Sequence, residues 1–229
     1  MTLARRDVLR SLLAATAAAA CARTGLAHAA PSAPDGAALA RFFRAVQLDD
    51  AKTVQAMIGA TVNANQRNPI GGEPGLVLAL REDAMRVVQV FLDHPGTNLE
   101  TTAVNGNTAL MMAAFKRNRA AVEQLLAKGA RIDQPGWTAL HYAAASGDDE
   151  IVRLLLARGA KIDAVSPLRS GAYTPLMMAA REGKDGTALL LIGQGANARL
   201  TNSEGLSAEQ LAERAGKTRV AQAIRQAVR

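Results

Sequence analysis

Three stretches of the chain decide its fold: Gly106-Asn107-Thr108-Ala109-Leu110-Met111-Met112-Ala113-Ala114, Gly136-Trp137-Thr138-Ala139-Leu140-His141-Tyr142-Ala143-Ala144 and Ala172-Tyr173-Thr174-Pro175-Leu176-Met177-Met178-Ala179-Ala180. They are copies of one motif. Each is followed by a short polar break and a second apolar run that closes on Gly-Ala, at Gly129-Ala130, Gly159-Ala160 and Gly195-Ala196. The offset from Thr108 to Ala130, from Thr138 to Ala160 and from Thr174 to Ala196 is 22 residues in every case. A fixed offset of this kind marks structural repeats that stack on one another.

Each residue type in the motif has a local structural reason. A threonine hydroxyl caps a helix by accepting one of the free N–H groups of the first turn. The Ala or Pro after it occupies a position where a missing N–H costs nothing. Leu110, Leu140 and Leu176, with the alanine pairs 113–114, 143–144 and 179–180, form an apolar face at helical spacing. Alanine lets neighbouring helices approach closely. The second run contributes Val122, Leu125 and Leu126, or Ile151, Leu154 and Leu155. The glycine before the closing alanine allows a left-handed helix end, and Asp133, Asp163 and Asn197 then favour a turn.

The motif resembles the ankyrin repeat, whose Thr-Pro-Leu-His-x-Ala signature sits on a helix-turn-helix unit of about 33 residues. The resemblance extends upstream to a degenerate unit with Gly75-Leu76-Val77-Leu78-Ala79 and Asn98-Leu99-Glu100, and to a shorter first one with Phe42 to Val46 and Val62-Asn63-Ala64. Downstream, Gly205-Leu206-Ser207-Ala208 opens a last unit in which Glu209 stands where the others carry leucine. The resemblance implies an all-α ankyrin-repeat solenoid of about six helix-turn-helix units with hairpin-like fingers. The units fall at about residues 39–66, 72–103, 104–133, 134–165, 170–201 and 202–229, after an export segment at 1–29 and a linker at 30–38. Terminal repeats have one face without a neighbour, and Gln210, Glu213, Arg214, Lys217 and Arg219 supply the polarity that face needs. Ala160 and Thr174 are 14 residues apart against 8 between Ala130 and Thr138, so the segment from Val165 to Ala172 is expected to project as a longer finger.

Ahead of the repeats, Ala4-Arg5-Arg6-Asp7-Val8-Leu9-Arg10 resembles a twin-arginine export motif. A weakly hydrophobic alanine-rich run and Arg23 follow, then Ala27-His28-Ala29, so cleavage is expected between Ala29 and Ala30 and a periplasmic location after it. The run of twelve residues before Arg23 is short of the roughly 20 that a membrane span needs. Ala18-Ala19-Ala20-Cys21 partly resembles a lipoprotein box, and a lipid anchor on Cys21 is the alternative. Cleavage after Ala29 removes the single cysteine, which suits an oxidising compartment without requiring a disulfide.

Composition narrows the function. The chain has 27 basic and 20 acidic side chains, and removing Arg5, Arg6, Arg10, Arg23 and Asp7 with the export segment leaves 23 and 19. That mild excess, without a clustered stripe, does not point to nucleic acid. Beyond residue 29 only His94 and His141 could serve as a catalytic base, and His141 belongs to the repeat motif, where the resemblance gives it the role of bonding the turn. Asp49-Asp50 and Asp148-Asp149-Glu150 stand where second helices begin and read as caps favoured by the helix dipole. Gly71-Gly72 with Pro74 and Gly75 lacks the Lys-Ser/Thr of a phosphate loop. Met111, Met112, Met177 and Met178 read as core and inner-helix surface rather than as a thioether metal site. No catalytic residue, cofactor site or metal site is expected.

Recognition of another protein is what the resemblance then implies, by a monomer, through the concave face formed by the first helices and fingers. Residues before the motif threonine and after the alanine pair face that groove in ankyrin arrays: Asn107, Trp137, Tyr173, Phe115, Lys116, Ala145, Ser146, Arg181 and Glu182. Three of these are aromatic in a chain with one Trp, two Tyr and four Phe, and aromatic side chains are common interface anchors. The same rings could instead pack on the neighbouring repeat, and the sequence leaves both open. The expected function is a non-catalytic periplasmic interaction module that assists or inhibits an exported enzyme. The alternatives are a small-molecule hydrolase with an unrecognised carboxylate site and a lipid-anchored interaction scaffold.

Overall fold

The computed structural model describes residues 35–228. Within them the backbone forms twelve α-helices and one short 3-10 helix, with isolated bridges as the only extended pairing. The helices come in antiparallel pairs: α1 (Gly36–Gln47) with α2 (Ala51–Met57), α3 (Gly75–Arg81) with α4 (Met85–Asp93), α5 (Ala109–Phe115) with α6 (Arg119–Ala127), α7 (Ala139–Ser146) with α8 (Asp149–Ala157), α9 (Pro175–Arg181) with α10 (Asp185–Gly193), and α11 (Ala208–Arg214) with α12 (Thr218–Ala227). First helices stack in sequence order, α1 on α3 and so on to α9 on α11. Second helices form an outer layer, α2 on α4, α6 on α8, α8 on α10 and α10 on α12. This is the all-α solenoid that the repeat spacing implies.

The motif residues act locally much as their chemistry predicts. Thr108 Oγ1 accepts the Met111 N–H at 3.3 Å, Thr174 Oγ1 accepts that of Met177 at 3.3 Å, and Ser207 Oγ that of Gln210 at 3.3 Å. Leu110, Leu140 and Leu176 are buried, and the three alanine pairs are fully so. Burying one such leucine contributes about 2–3 kcal/mol, so the inner layer holds mainly through apolar packing repeated from unit to unit. In the outer layer Val122, Leu125, Ile151 and Leu155 are buried, while Leu126 and Leu154 are half-exposed. The second helices of the three best-formed units end on Gly129, Gly159 and Gly195, each with φ near +90°, which a side chain would strain.

Two polar ladders tie the repeats together. Carboxylates and amides in the turns after second helices accept backbone N–H groups of the following repeat: Asn65 from Asn98 at 2.7 Å, Glu100 from Arg131 at 2.8 Å, Asp133 from Lys161 at 3.0 Å and Asp163 from Asn197 at 3.0 Å. The second ladder runs through the turns between the paired helices. Asp50 and Asp148 cap α2 and α8, accepting from Thr53 N at 3.1 Å and Ile151 N at 3.0 Å. Their neighbours reach across instead: Asp49 accepts from Val87 N at 2.9 Å and Arg86 Nε at 2.8 Å, and Asp149 accepts from the Thr187 hydroxyl. Burial would push the Asp49 carboxyl up, yet the bonds from Arg86 and Val87 hold it below the ordinary carboxylate range.

The ends differ from the middle for physical reasons. α1 begins at Gly36, inside the stretch expected as a linker, because Asp35 accepts the Ala38 N–H and nucleates the helix there. The rest of the linker, the export segment with Arg5, Arg6 and Cys21, and the cleavage pair Ala29 and Ala30 lie outside the described residues. At the other end, Glu209 forms an ion pair with Arg225 of α12 at 2.6 Å. The ion pair puts charge where the other repeats place a buried leucine.

Candidate interaction groove

The fingers are loops closed by backbone pairs, Asn68 N to Glu73 O at 2.8 Å, Ala103 N to Asn107 O at 2.9 Å, Ser166 N to Tyr173 O at 2.8 Å and Asn202 N to Leu206 O at 3.0 Å. The finger from Val165 to Ala172 is indeed the long one, and it carries the 3-10 turn Leu168–Ser170 at its tip. α1, α3 and the first two fingers line a hollow of about 650 Å³.

Repeat 4 shows how the motif fixes a finger to a helix. His141 is fully buried. The Thr138 N–H donates to its Nδ1 at 3.2 Å and the Thr138 hydroxyl lies 2.9 Å from the same atom, so Nε2 carries the proton and donates to Tyr173 O of the next finger at 2.9 Å. Burial pushes the imidazole down to about 4, although bonds to the carbonyls of Tyr173 and Ala164 oppose it. The ring is therefore neutral at neutral pH and serves as a structural bridge, with both nitrogens occupied. The expected side-chain cap from Thr138 is replaced by this contact.

Units without the histidine solve the same problem differently. The Thr108 N–H points to Met111 Sδ at 3.5 Å, the Thr174 N–H to Met177 Sδ at 3.4 Å, and the Ser207 N–H to Gln210 Oε1 at 2.9 Å. A thioether accepts but cannot donate. In repeat 3 the missing donor comes from Gln134, whose Nε2 reaches Trp137 O at 3.4 Å and Met111 Sδ at 3.9 Å. Met111 and Met177 are buried, as core, while Met112 and Met178 sit at the inner edge of it. Among the described residues no three His, Cys, Asp or Glu side chains come close enough to share a metal ion.

The residues expected to line the groove separate into two groups. Phe115, Lys116 and Glu182 are exposed, and Ala145, Ser146, Arg181 and Trp137 are half-buried. Tyr173 and Asn107, by contrast, are only 8% and 6% exposed. Tyr173 lies against the backbone of Gly171, where an added Cβ would fall 2.3 Å from the ring, and Arg181 covers its outer face at 5.1 Å. Asn107 is drawn inward because its amide oxygen accepts the Tyr142 hydroxyl. These two positions hold the groove's wall rather than present it.

Tyr142 is the groove residue that the repeat pattern did not single out. Its ring meets Phe115 edge-on at 6.1 Å and Trp137 at 6.1 Å, and Trp137 in turn packs on His141 at 5.2 Å. Burial raises the Tyr142 hydroxyl above its ordinary range, with the Asn107 bond opposing the rise. The signal was present in the alignment of units: Leu78, Met112, Tyr142, Met178 and Leu211 occupy one column, so only repeat 4 places a polar-tipped ring there. In the column of Phe115 stand Arg81, Ala145, Arg181 and Arg214. The middle of the inner face is thus aromatic, and the flanks are cationic with their charges largely matched, Arg81 by Glu73 and Glu82, Arg181 by Glu182, and Arg214 by Glu204.

Among the described residues no helix is long and apolar enough to cross a membrane. A family model for ankyrin repeats, three copies, matches residues 42–135, 87–166 and 140–227, overlapping windows that together take in nearly all of the described chain.

Proposed function

Because the chain belongs to the ankyrin-repeat family, a family of protein-interaction modules, we propose that it is a non-catalytic module of the periplasm that binds another protein through the groove and thereby assists or inhibits an exported enzyme. One observation carries the reading. Phe115 is 52% exposed at the centre of the inner face, beside the half-buried Tyr142 and Trp137. An exposed phenylalanine adds little to the core, whereas amphipathic rings grouped at the middle of a groove are the usual anchors of a protein interface. Folded-state export suits such a chain. Contacts between neighbouring repeats are local, so the array folds quickly and favours a route that carries folded proteins.

The test is site-specific photocrosslinking in intact cells. A crosslinker at Phe115 captures a discrete partner, and the same group at the exposed Gln124 on the outer layer does not. Equal capture from both positions, or capture only from the outer one, overturns the groove assignment. Arg5→Lys with Arg6→Lys abolishes export, and the mature chain begins at Ala30. A lipid-modified Cys21 found by mass spectrometry of the mature N-terminus replaces the soluble module with the anchored scaffold.

A further inference from the structure

The hollow between the first two fingers has a chemistry of its own. Its floor is apolar, with Ala40 and Phe43 from α1 and Ala103 from the second finger, and two branched side chains stand at its rim. Ile70 at the first fingertip is 86% exposed and Val104 at the second is 78% exposed. These fingers are fitted to each other: a Cβ at Gly72 would lie 2.4 Å from Val104 Cγ2. The wall is therefore built in the free protein and does not depend on an occupant to form.

Most of the polar groups of the hollow either are donors or are already paired within it. Asn68 Oδ1 already accepts the Ile70 N–H at 3.0 Å, and Asn105 Oδ1 accepts that of Asn107 at 3.1 Å. Neither amide NH₂ group has a hydrogen-bond partner among the described residues. The Glu73 carboxylate is held by Arg81, which is shared with Glu82. Arg44, an exposed residue on the last turn of α1, lines the same hollow and has no carboxylate partner among the described residues. Among the described residues, the side-chain acceptors left in the hollow are Gln47 and the second carboxylate oxygen of Glu73. A cavity whose one lining carboxylate is already paired with Arg81, and which presents a guanidinium and two amide NH₂ groups, favours an occupant rich in acceptors.

Resting on the groove reading above, we infer that this hollow is the docking point for an acidic segment of the partner protein, an extended stretch with at least one Asp or Glu beside a branched apolar residue. The carboxylate meets Arg44, the segment's backbone carbonyls meet Asn68 and Asn105, and the apolar side chain packs between Ile70 and Val104. The volume of 650 Å³ accommodates a few residues of peptide, within the range usual for binding pockets. The aromatic centre and this hollow are then two parts of one surface, the first contributing anchoring and the second choosing the charge of what binds.

A phage-displayed library of random dodecapeptides, selected against the immobilised full chain, tests this. The expected result is enrichment of peptides that pair Asp or Glu with Ile, Leu or Val. A synthetic peptide of the enriched pattern, followed by fluorescence anisotropy, binds roughly tenfold or more weakly to Arg44→Glu. It is also weakened by Val104→Asp, is less affected by Arg44→Gln, and loses affinity as salt rises. Both positions are exposed, so thermal unfolding by circular dichroism stays at the parent value and excludes misfolding. Enrichment of basic or uncharged peptides, no enrichment, or binding indifferent to Arg44→Glu and Val104→Asp overturns the proposal. If selected peptides instead lose affinity only with Phe115→Ala, the groove reading stands and the acidic docking point falls. If neither set of substitutions matters, both fall.

Discussion

Replacing His141 by methionine separates what the histidine does at neutral pH from what it does in acid. The fully buried ring has its imidazole pushed from 6.5 to about 4 by burial. Above pH 6.5 the ring is neutral in both the folded and unfolded chain, and its titration has no effect on stability. Between 6.5 and about 4 the unfolded chain takes up a proton that the folded chain refuses, so stability falls as pH falls, and the loss is complete near pH 4. A displacement of that size corresponds to roughly 3 kcal/mol. Met111 and Met177 show that methionine can receive the threonine N–H in this position. His141→Met therefore keeps that contact and loses the donor to Tyr173 O, which still accepts the Ser166 N–H at 2.8 Å. The expected penalty at neutral pH is about 1 kcal/mol for one lost hydrogen bond. Urea unfolding, monitored by far-UV circular dichroism across this pH range, measures both quantities. The parent chain loses roughly 3 kcal/mol more than His141→Met between neutral pH and pH 4, and carboxylates common to both proteins cancel in the difference. Parallel pH profiles for the two proteins would refute the assignment of a neutral, doubly bonded ring.

Three further outcomes follow from the packing. Leu140→Ala, at a fully buried position of the inner layer, destabilises by about 2–5 kcal/mol in the same denaturation assay. Gly171→Ala forces a side chain onto φ +106° and into the Tyr173 ring; it costs about 1–3 kcal/mol and shifts the tyrosine near-UV circular dichroism, while an unchanged spectrum would contradict the seat described for that ring. Asp163→Ala removes the acceptor of the Asn197 N–H, and hydrogen exchange at Asn197 rises more than at amides of the first two repeats.

The repeat was legible because its determinants are local. Thr108, Leu110 and Ala113 announce a capped helix with one close-packed face, and the unvarying distance to Ala130 fixes the hairpin. The helix at 36–38 was hidden because its start depends on one cap, Asp35, in a segment with no repeat to align it. Asp133 and Asp163 read as turn formers, which they are, but their second role, receiving an N–H from the next repeat, depends on a neighbour some 30 residues away and has no local signature. The same limit explains the groove. A column position says which residues face inward, yet Tyr173 and Asn107 were turned into the wall by Gly171, Arg181 and Tyr142, residues outside that column.

Each unit of this solenoid must satisfy the same backbone groups, and it does so with different side chains, His141 in one repeat, Met111 with Gln134 in another and Gln210 in the last. The scaffold therefore tolerates exchange at its own bonding positions as long as donor and acceptor are both supplied from somewhere nearby. Some inward-facing positions carry no such obligation. Among the described residues the side chains of Phe115 and Arg44 satisfy no backbone group, both are exposed, and Phe115 stands in a column where other units carry different chemistry. Residues free of a structural duty are where binding specificity can vary without disturbing the stack. On this physical ground the aromatic centre and the Arg44 guanidinium, which has no carboxylate partner among the described residues, are the two features of the inner face on which the proposed recognition rests.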